Sequence, residues 1–356
     1  MESKKIQKNE LKNHKNKLCD YFKILSEIID LEDHWTIEKS IEIEIKKSFI
    51  RGMIRYSPIS YEITQELKKF IIKKLDVEEK FKWITLPYPM IHLVDDFVEA
   101  EGGFHYDFDK GDGKNLITLW MQLTDYKYDS LTFVKNSSFL NIFSKYFIKF
   151  NFLNYFSKKV QTSKDEIYFW YGDEVHKGNL NTSSKKTCAI QLKVTKNVYD
   201  YEQVQEIEIQ KHIDNNFIDY KKNEILELFN LYSDLIQQVL KENKIENLYK
   251  FTSSQLEKLP KNMCLSFALS TFSQRLFASR KFFNLENIET KSNVFDMLSL
   301  LIGSSNLICL KRLKNSGMIE IVENLKSIDK FRSLPYESTQ FQKIINDKDS
   351  NNKFYF

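Results

Sequence analysis

The sequence predicts an α+β protein whose β-rich core, of β-sandwich or jelly-roll type, lies between two helical regions. Six of the nine glycines fall between Gly102 and Gly178, where short strand-like runs alternate with turn residues. On both sides of this stretch apolar residues recur at helical spacing, and no glycine occurs between Gly178 and Gly303. Many short strands separated by turns are typical of sandwiches and jelly rolls.

Length and periodicity divide the chain into four parts. With 356 residues and 42% hydrophobic content, the chain is long enough for one elaborated domain with helical additions or for two domains. We predict an N-terminal helical segment over 1–80, a β-rich core over 81–202, a helical C-terminal region over 203–346 and a loosely ordered tail over 347–356.

The individual elements follow from the spacing of apolar residues. Helical spacing covers 18–32, 61–80, 223–242, 253–283 and 292–328. Strands are predicted within 82–98 and at 104–108, 115–124, 130–135, 165–171 and 186–195. The aromatic-rich segment Ser138–Phe156 joins two of these strands, and it has two interpretations: a helix packed on the sheet, or a lid over a pocket.

Composition bears on partners and location. The 53 basic and 49 acidic residues nearly balance, so the charge gives no reason to expect a nucleic-acid partner. The chain has no run of 18 apolar residues and no apolar signal-peptide core, so we expect no membrane span. Four widely separated cysteines form no metal-binding spacing, which favours a reducing, cytoplasmic location.

His105, Asp107 and His176 form the most informative pattern in the chain. Alternate side chains along a strand share a face, so His105 and Asp107 can point at one metal ion. His176 lies 71 positions later and follows a second strand-like run. Two imidazoles and one carboxylate can hold one face of iron(II) and leave the opposite positions open. Asp109 shares the parity of Asp107 and is a competing ligand.

Five motifs connect these ligands with a known family. They are Gly102–Asp107, Leu119–Asp125, Ser130–Ser138, Asp165–Phe169 and His176–Asn181. In this order, and over roughly residues 85–195, they resemble the phytanoyl-CoA hydroxylase-like group of the iron(II)/2-oxoglutarate dioxygenases. The resemblance implies a double-stranded β-helix, that is, a cupin-like jelly roll, with iron(II) bound by His105, Asp107 and His176.

The resemblance also implies a reaction. In that group 2-oxoglutarate is the co-substrate, O2 is the oxidant, and an unactivated C–H bond of the substrate is hydroxylated. We expect a small-molecule substrate: an amino acid, a sugar or a secondary metabolite. Asp107 fills the position that an iron halogenase leaves to chloride, which favours hydroxylation or desaturation over halogenation.

The chain departs from the group at the residue that binds the far carboxylate of 2-oxoglutarate. The group has an arginine about ten residues after the distal histidine, but here no arginine occurs between Arg55 and Arg275. A lysine can pair with a carboxylate as a point charge, without the two-pronged geometry of arginine. Lys186 is the first choice because it lies ten residues after His176. The other candidates are Lys185, Lys193 and Lys114.

Trp120, Gln122 and Asn181 complete the candidate pocket. Trp120 and Gln122 share one face of a predicted strand and would line the pocket, although Trp120 suits a plain core position equally well. Asn181 would orient groups near the co-substrate or form a turn. Two other functions stay open. One is a cupin-like metal enzyme that does not use 2-oxoglutarate, which the missing arginine favours; the other is a barrel that acts as a binding module.

Overall fold

A computed structural model describes most of the chain. The described residues are 2–5, 9–74, 83–100, 103–107, 116–125, 129–134, 151–195, 204–206, 219–256, 262–303, 309, 312–313 and 316–317. Asp109, Lys114, residues 138–150 of the predicted lid and the tail over 347–356 lie outside them.

Helices occupy both ends of the described chain. Their bounds are α1 Asn9–Ile28, α2 Ser40–Arg55, α3 Pro58–Lys74, α4 Phe97–Ala100, α5 Lys222–Lys241, α6 Ile245–Leu256, α7 Met263–Ala278 and α8 Ile288–Ile302. Short 3-10 helices cover Asn151–Phe156 and Arg280–Phe282.

The strands form two antiparallel sheets. Their bounds are β1 Glu2–Lys5, β2 Trp83–Thr85, β3 Tyr88–His92, β4 Leu116–Gln122, β5 Leu131–Val134, β6 Ser157–Val160, β7 Glu166–Tyr171, β8 His176–Gly178, β9 Thr187–Thr195 and β10 Val204–Glu206. The larger sheet has the order β1-β7-β4-β9-β2-β10, and β3 also pairs with β9. The smaller sheet has the order β6-β5-β8, and a bridge between His105 and His176 adds one more segment beside β8.

From β3 to β9 the chain passes repeatedly between the two sheets. From β3 onward the chain passes from the larger sheet to the His105 segment of the smaller one, returns for β4, and crosses again for β5 and β6. It then forms β7 in the larger sheet, β8 in the smaller and β9 in the larger. This crossing brings segments that are far apart in the sequence, such as those around His105 and His176, side by side.

The two faces of the larger sheet pack against different partners. On one face, the odd-numbered residues of β4 and β7 and the even-numbered residues of β9 join the helices from both ends of the chain in one apolar cluster. The alternate residues of the same three strands face the smaller sheet, where they form a second apolar cluster with β5. The members of this cluster are Trp120, Leu131, Phe133, Tyr168, Trp170 and Ala189. The period of two in each strand therefore separates a helix-facing side from a side directed between the sheets.

Helix α2 is buried, and its contacts include a network of paired charges as well as apolar residues. Lys47 Nζ donates to Glu44 Oε1 at 2.8 Å and to Asp96 Oδ2 at 2.6 Å, and all three side chains are buried. The Arg51 guanidinium lies 3.6 Å from Glu44 Oε2. Paired charges of this kind avoid the cost of burying a lone ion. The network attaches α2 to the chain just before α4, on the way to the His105 segment.

The sequence predictions agree with the structure best at four strands and at helix α5, where the sequence predicts a helix over 223–242 and the structure has Lys222–Lys241. The runs predicted at 115–124, 130–135, 165–171 and 186–195 match β4, β5, β7 and β9 within two residues at each end. The α+β class is confirmed, with two antiparallel sheets. The strand predicted at 104–108 is reduced, among its described residues, to the bridge at His105. Helix α2 is not among the predicted helices, because its charged residues obscure the apolar stripe on which such a prediction depends.

Membrane spans would require a long and continuously apolar helix. No helix within the part of the chain that the structure describes is long and apolar enough to cross a bilayer.

Gly52 of α2 packs directly against α7, and this contact leads to a prediction about stability. A Cβ atom at this position would stand 2.2 Å from the Cys264 carbonyl oxygen. Gly52→Ala should therefore lower the free energy of unfolding by about 1–3 kcal/mol, the usual cost of overpacking a core. Urea denaturation of the metal-free protein measures this change.

Gly178→Ala is the matched control. The nearest atom to a Cβ there is His92 Cε1 at 3.9 Å, an ordinary contact, so we expect a change within about 0.5 kcal/mol. Equal stability of the Gly52→Ala variant and the wild type would contradict the close packing of α2 on α7.

Candidate metal centre

His105, Asp107 and His176 meet at one point between the sheets. One ligand atom from each residue lies within 4.8 Å of the other two, and within the described ranges this is the only group of three or more such residues. Asp107 and His176 are buried, whereas His105 is partly exposed. The prediction that these three residues come together is therefore supported by their geometry.

The backbone brings the two histidines together. His105 N–H donates to the His176 carbonyl at 2.9 Å, and His176 N–H donates to the His105 carbonyl at 3.0 Å. Their imidazole centroids are 4.5 Å apart. Gly103, with a φ of 56°, has the left-handed conformation that glycine adopts without strain, and it sets the turn before His105.

Hydrogen bonds orient both imidazoles. Nδ1 of His105 lies 3.0 Å from the Gly103 carbonyl oxygen, and Nδ1 of His176 lies 2.9 Å from the Glu174 carbonyl oxygen. A carbonyl oxygen only accepts, so each Nδ1 carries a proton and Nε2 is the nitrogen directed for metal binding. This fixed tautomer is the arrangement found around metal-bound histidines. His176 Nε2 lies 3.7 Å from Asp107 Oδ2.

Burial keeps His176 neutral. The imidazole is in contact with the rings of Phe133, Trp170 and His105 at centroid distances of 5.5, 5.0 and 4.5 Å. This desolvation lowers the pKa of His176 to about 4, although the nearby Asp107 carboxylate acts in the opposite direction. The imidazole is thus in its neutral, metal-binding form at physiological pH.

Three donors surround the Asp107 carboxylate. Thr118 Oγ1 donates to Oδ2 at 2.5 Å, and Trp170 Nε1 donates to the same oxygen at 2.9 Å. Lys193 Nζ lies 3.2 Å from Oδ1. Burial by itself raises the pKa of Asp107, but Lys193, the two histidines and the Thr118 hydrogen bond outweigh it and hold the pKa below its usual range. The carboxylate is therefore ionised, as a metal ligand must be.

These donors occupy one row of the larger sheet. Thr118 of β4 lies directly opposite Trp170 of β7 on one side and Lys193 of β9 on the other. All three side chains project from the face that is directed toward the smaller sheet. The prediction from sequence did not single out Thr118 or Trp170. The alternation of side chains along each strand could have identified them. Thr118 shares a strand face with Trp120, and Trp170 lies on the strand just before His176.

The positions of the candidate lysines in the structure do not follow the order in which the sequence ranked them. Lys186, the first choice, donates from Nζ to the Leu31 carbonyl at 2.8 Å and to Asp33 Oδ1 at 3.2 Å, away from the ligand group. Lys185 is exposed in the preceding turn. Among the candidate lysines that the structure describes, Lys193 is the one whose ammonium reaches the ligand group. Distance along the chain from His176 was a poor guide because the strand register decides which side chain faces the site.

The other predicted pocket residues have different surroundings. Asn181 Nδ2 donates to the His92 and Lys185 carbonyls, and its Oδ1 accepts from Ser183, which is the turn-forming alternative. Gln122 is bonded at both ends, to the Thr124 carbonyl and to Thr162 Oγ1. It lies four residues from Thr118, or about 13 Å along β4.

Trp120 lies between these two positions and is buried in the cluster between the sheets. Its Nε1 has no hydrogen-bond partner among the described residues. A buried indole N–H usually finds an acceptor. The position therefore suits contact with a bound ligand as well as a place in the core.

A small apolar cluster supports the ligands from the other side. It contains Phe104, Val134, Leu153 and Val175, so it includes the residues just before His105 and His176. Leu153 comes from the 3-10 helix at the end of the aromatic segment Ser138–Phe156. This end of the segment packs behind the ligands, and the remainder of the predicted lid lies outside the described residues.

Replacing either histidine tests the ligand assignment. His105→Ala and His176→Ala should each abolish binding of iron(II), since two remaining ligands hold the ion far more weakly than three. Metal content after anaerobic reconstitution measures the loss, and circular dichroism shows whether the fold is retained. His92→Ala is the control, because His92 is a histidine outside the group; full iron occupancy in the two ligand variants would refute the assignment.

Comparison of the chain with protein-family models and with curated proteins finds no match. One fold can carry many chemistries, and similar sites occur on unrelated folds. The function is therefore argued from the ligand set, from the hydrogen bonds that hold it and from the charges around it.

Proposed function

We propose that this protein is an iron(II)- and 2-oxoglutarate-dependent oxygenase that hydroxylates a small molecule. The observation that carries the proposal is the convergence of two histidines and one aspartate on one point, with both imidazoles held in the metal-binding tautomer. Two histidines and one carboxylate with open opposite positions are typical of non-haem iron(II) oxygenases.

We also propose that the two sheets form a double-stranded β-helix, or jelly roll. The support is the repeated passage of the chain between the sheets from β3 to β9, together with the apolar cluster enclosed between them. In this arrangement the ligands come from the smaller sheet and from the turn after its His105 segment. The helix-facing side of the larger sheet takes no part in the chemistry.

The residues present fit an iron(II) ion. Imidazole nitrogens from His105 and His176 and an ionised oxygen from Asp107 are the donors that a borderline divalent metal prefers. When bound, iron(II) and 2-oxoglutarate would allow O2 to oxidise a C–H bond of the substrate, and 2-oxoglutarate would be converted to succinate and CO2. The role of the protein is to hold the three ligands in place, to bind the co-substrate and to exclude water.

Aromatic side chains exclude water from one side of the site. Phe133 stacks on the His176 ring with an interplanar angle of 22°, and Trp170 contacts the same ring. Trp120 extends this surface further between the sheets. A dry site of this kind protects reactive species from side reactions with solvent.

Lys193 is our revised proposal for the group that binds the far carboxylate of 2-oxoglutarate. It is partly exposed, it projects between the sheets, and its ammonium already lies at the ligand group. Trp120 is its diagonal neighbour, because Thr118 lies opposite Lys193 and Trp120 lies opposite Gln191. Diagonal neighbours are about 7–8 Å apart, within the reach of long side chains. The ammonium and the indole N–H together could supply the two donors that an arginine would offer.

Location and substrate class are further parts of the proposal. None of the four cysteines is in a disulfide bond, which fits the reducing cytoplasm expected from the sequence. A small-molecule substrate fits a ligand group of which two members are buried and one is partly exposed.

One observation favours a second candidate, a metal enzyme of the same architecture that does not use 2-oxoglutarate. The Lys193 ammonium pairs with Asp107 itself, and the sequence has no arginine between Arg55 and Arg275. The two candidates share the metal centre and differ in the co-substrate.

Anaerobic addition of iron(II) followed by 2-oxoglutarate tests the proposed function. We expect a weak visible metal-to-ligand charge-transfer band, because chelation of iron(II) by a 2-oxo acid produces one, and succinate should form when O2 is admitted. His176→Ala, which lacks a ligand, is the control. Iron binding without the band and without succinate would favour the second candidate.

Replacing Lys193 tests the co-substrate anchor. Lys193→Ala should weaken 2-oxoglutarate binding by at least about 1.4 kcal/mol, or tenfold, because the ammonium that pairs with the far carboxylate is lost. Titration of 2-oxoglutarate into the anaerobic iron(II) protein measures this effect, and the iron content is measured in parallel.

Lys186→Ala and Lys185→Ala are the matched controls. Lys186 pairs with Asp33 and Lys185 is exposed, so both variants should bind 2-oxoglutarate within about twofold of the wild type. A defect in Lys186→Ala with normal binding in Lys193→Ala would restore the first choice made from the sequence.

A further inference from the structure

The Asp107 carboxylate does not lie in a regular strand, so something outside its own segment must hold it. Asp107 lies two residues beyond the bridge at His105, at the end of the described segment 103–107. Its side chain is buried, and its oxygen atoms bond to the larger sheet across the gap between the sheets. A ligand on an irregular segment is only as precise as the groups that surround it.

Trp170 contacts two of the three ligands at once. Its Nε1 donates to Asp107 Oδ2 at 2.9 Å, while its ring lies 5.0 Å from the His176 ring and 5.3 Å from that of Phe133. The residue is 1% exposed, so the indole has no freedom to turn away. One rigid side chain thereby relates the position of Asp107 to that of His176, although the two ligands come from segments 69 residues apart in the sequence.

Thr118 acts on the same carboxylate oxygen. Its hydroxyl donates to Asp107 Oδ2 at 2.5 Å, and it lies directly opposite Trp170 in the register of β4 and β7. Two donors on neighbouring strands that converge on one oxygen fix the direction of the carboxylate plane as well as its distance. Both donors are neutral, so they orient the carboxylate without cancelling its charge toward a cation.

We propose that Trp170 and Thr118 are positioning residues of the metal centre, which hold Asp107 in the orientation that completes the ligand group with His105 and His176. This inference rests on the metal site of the proposed function, but it does not depend on 2-oxoglutarate or on turnover. Residues that form hydrogen bonds with metal ligands strongly influence the affinity for the metal. Their loss typically lowers this affinity about 10–100-fold.

The test compares cobalt(II) binding by four variants, with titration calorimetry for affinity and the visible spectrum of the bound ion for geometry. Trp170→Phe keeps an aromatic ring and removes the N–H, and Thr118→Val keeps the shape and removes the hydroxyl. Each should weaken cobalt(II) binding about 10–100-fold and alter the visible absorption of the bound ion. Thr118→Ser restores the hydroxyl and should bind within about threefold of the wild type, well short of the effect of losing the bond.

Tyr168→Phe is the matched control for loss of a polar group. Tyr168 lies on the same face of β7, two residues from Trp170, but its hydroxyl donates to Glu166 at 2.8 Å rather than to a ligand. It should leave cobalt(II) affinity and spectrum unchanged. Denaturation of each variant without metal shows whether stability is altered, and if Trp170→Phe does not fold, the Thr118→Val and Thr118→Ser pair decides.

The outcomes separate this inference from the function itself. Wild-type affinity and spectrum in both Trp170→Phe and Thr118→Val would overturn the positioning role while the metal site stands. The same loss in Tyr168→Phe would also overturn it, since the effect would then be general loosening of the cluster. A wild-type protein that binds no cobalt(II) and no iron(II) would defeat both proposals. Metal binding that follows the predicted pattern, in a protein that shows no 2-oxoglutarate band, would support the positioning role and refute only the oxygenase.

Discussion

The arrangement of the core depends on one buried carboxylate and the three side chains that donate to it. Asp107 belongs to the segment that joins the smaller sheet, yet its partners Trp170, Thr118 and Lys193 form a row across three strands of the larger sheet. A buried charge without partners would cost several kcal/mol, so the two sheets are tied together at the point where the ligands meet. The same contacts that satisfy the charge also build the site.

This row exists only while the strands keep their register. Side chains alternate between the faces of a strand, and a slip of one residue would turn the row toward the helices. The side chains on the other face of these strands pack against helices from both ends of the chain; they include Ile117, Leu119 and Ile190. Burial of this apolar face therefore selects the register that places the donors inside. The helical regions contribute to the site through the sheet on which they pack, and through the buried charges that attach α2 to Asp96.

One environment produces opposite protonation at neighbouring ligands. Burial favours neutral forms, and it leaves His176 uncharged because the side chains packed around it remove water from the imidazole. Asp107 experiences the same burial but stays ionised, because Lys193 and the donated hydrogen bonds stabilise the anion. A neutral imidazole beside an ionised carboxylate is the combination that a divalent metal requires.

By itself the sequence determined the candidate ligand residues, the regular strands and the helical character of the two ends, because these follow from local spacing and periodicity. The spacing of His105, Asp107 and His176 identifies them as a candidate ligand group, and the alternation of apolar residues identifies β4, β5, β7 and β9. Tertiary structure decided which distant groups meet. Lys193 rather than Lys186 reaches the ligands because cross-strand register, not separation along the chain, sets which side chain faces inward. Thr118 and Trp170 became significant for the same reason, and the buried Lys47 of α2 pairs with Asp96, 49 residues away, only because the fold brings the two together.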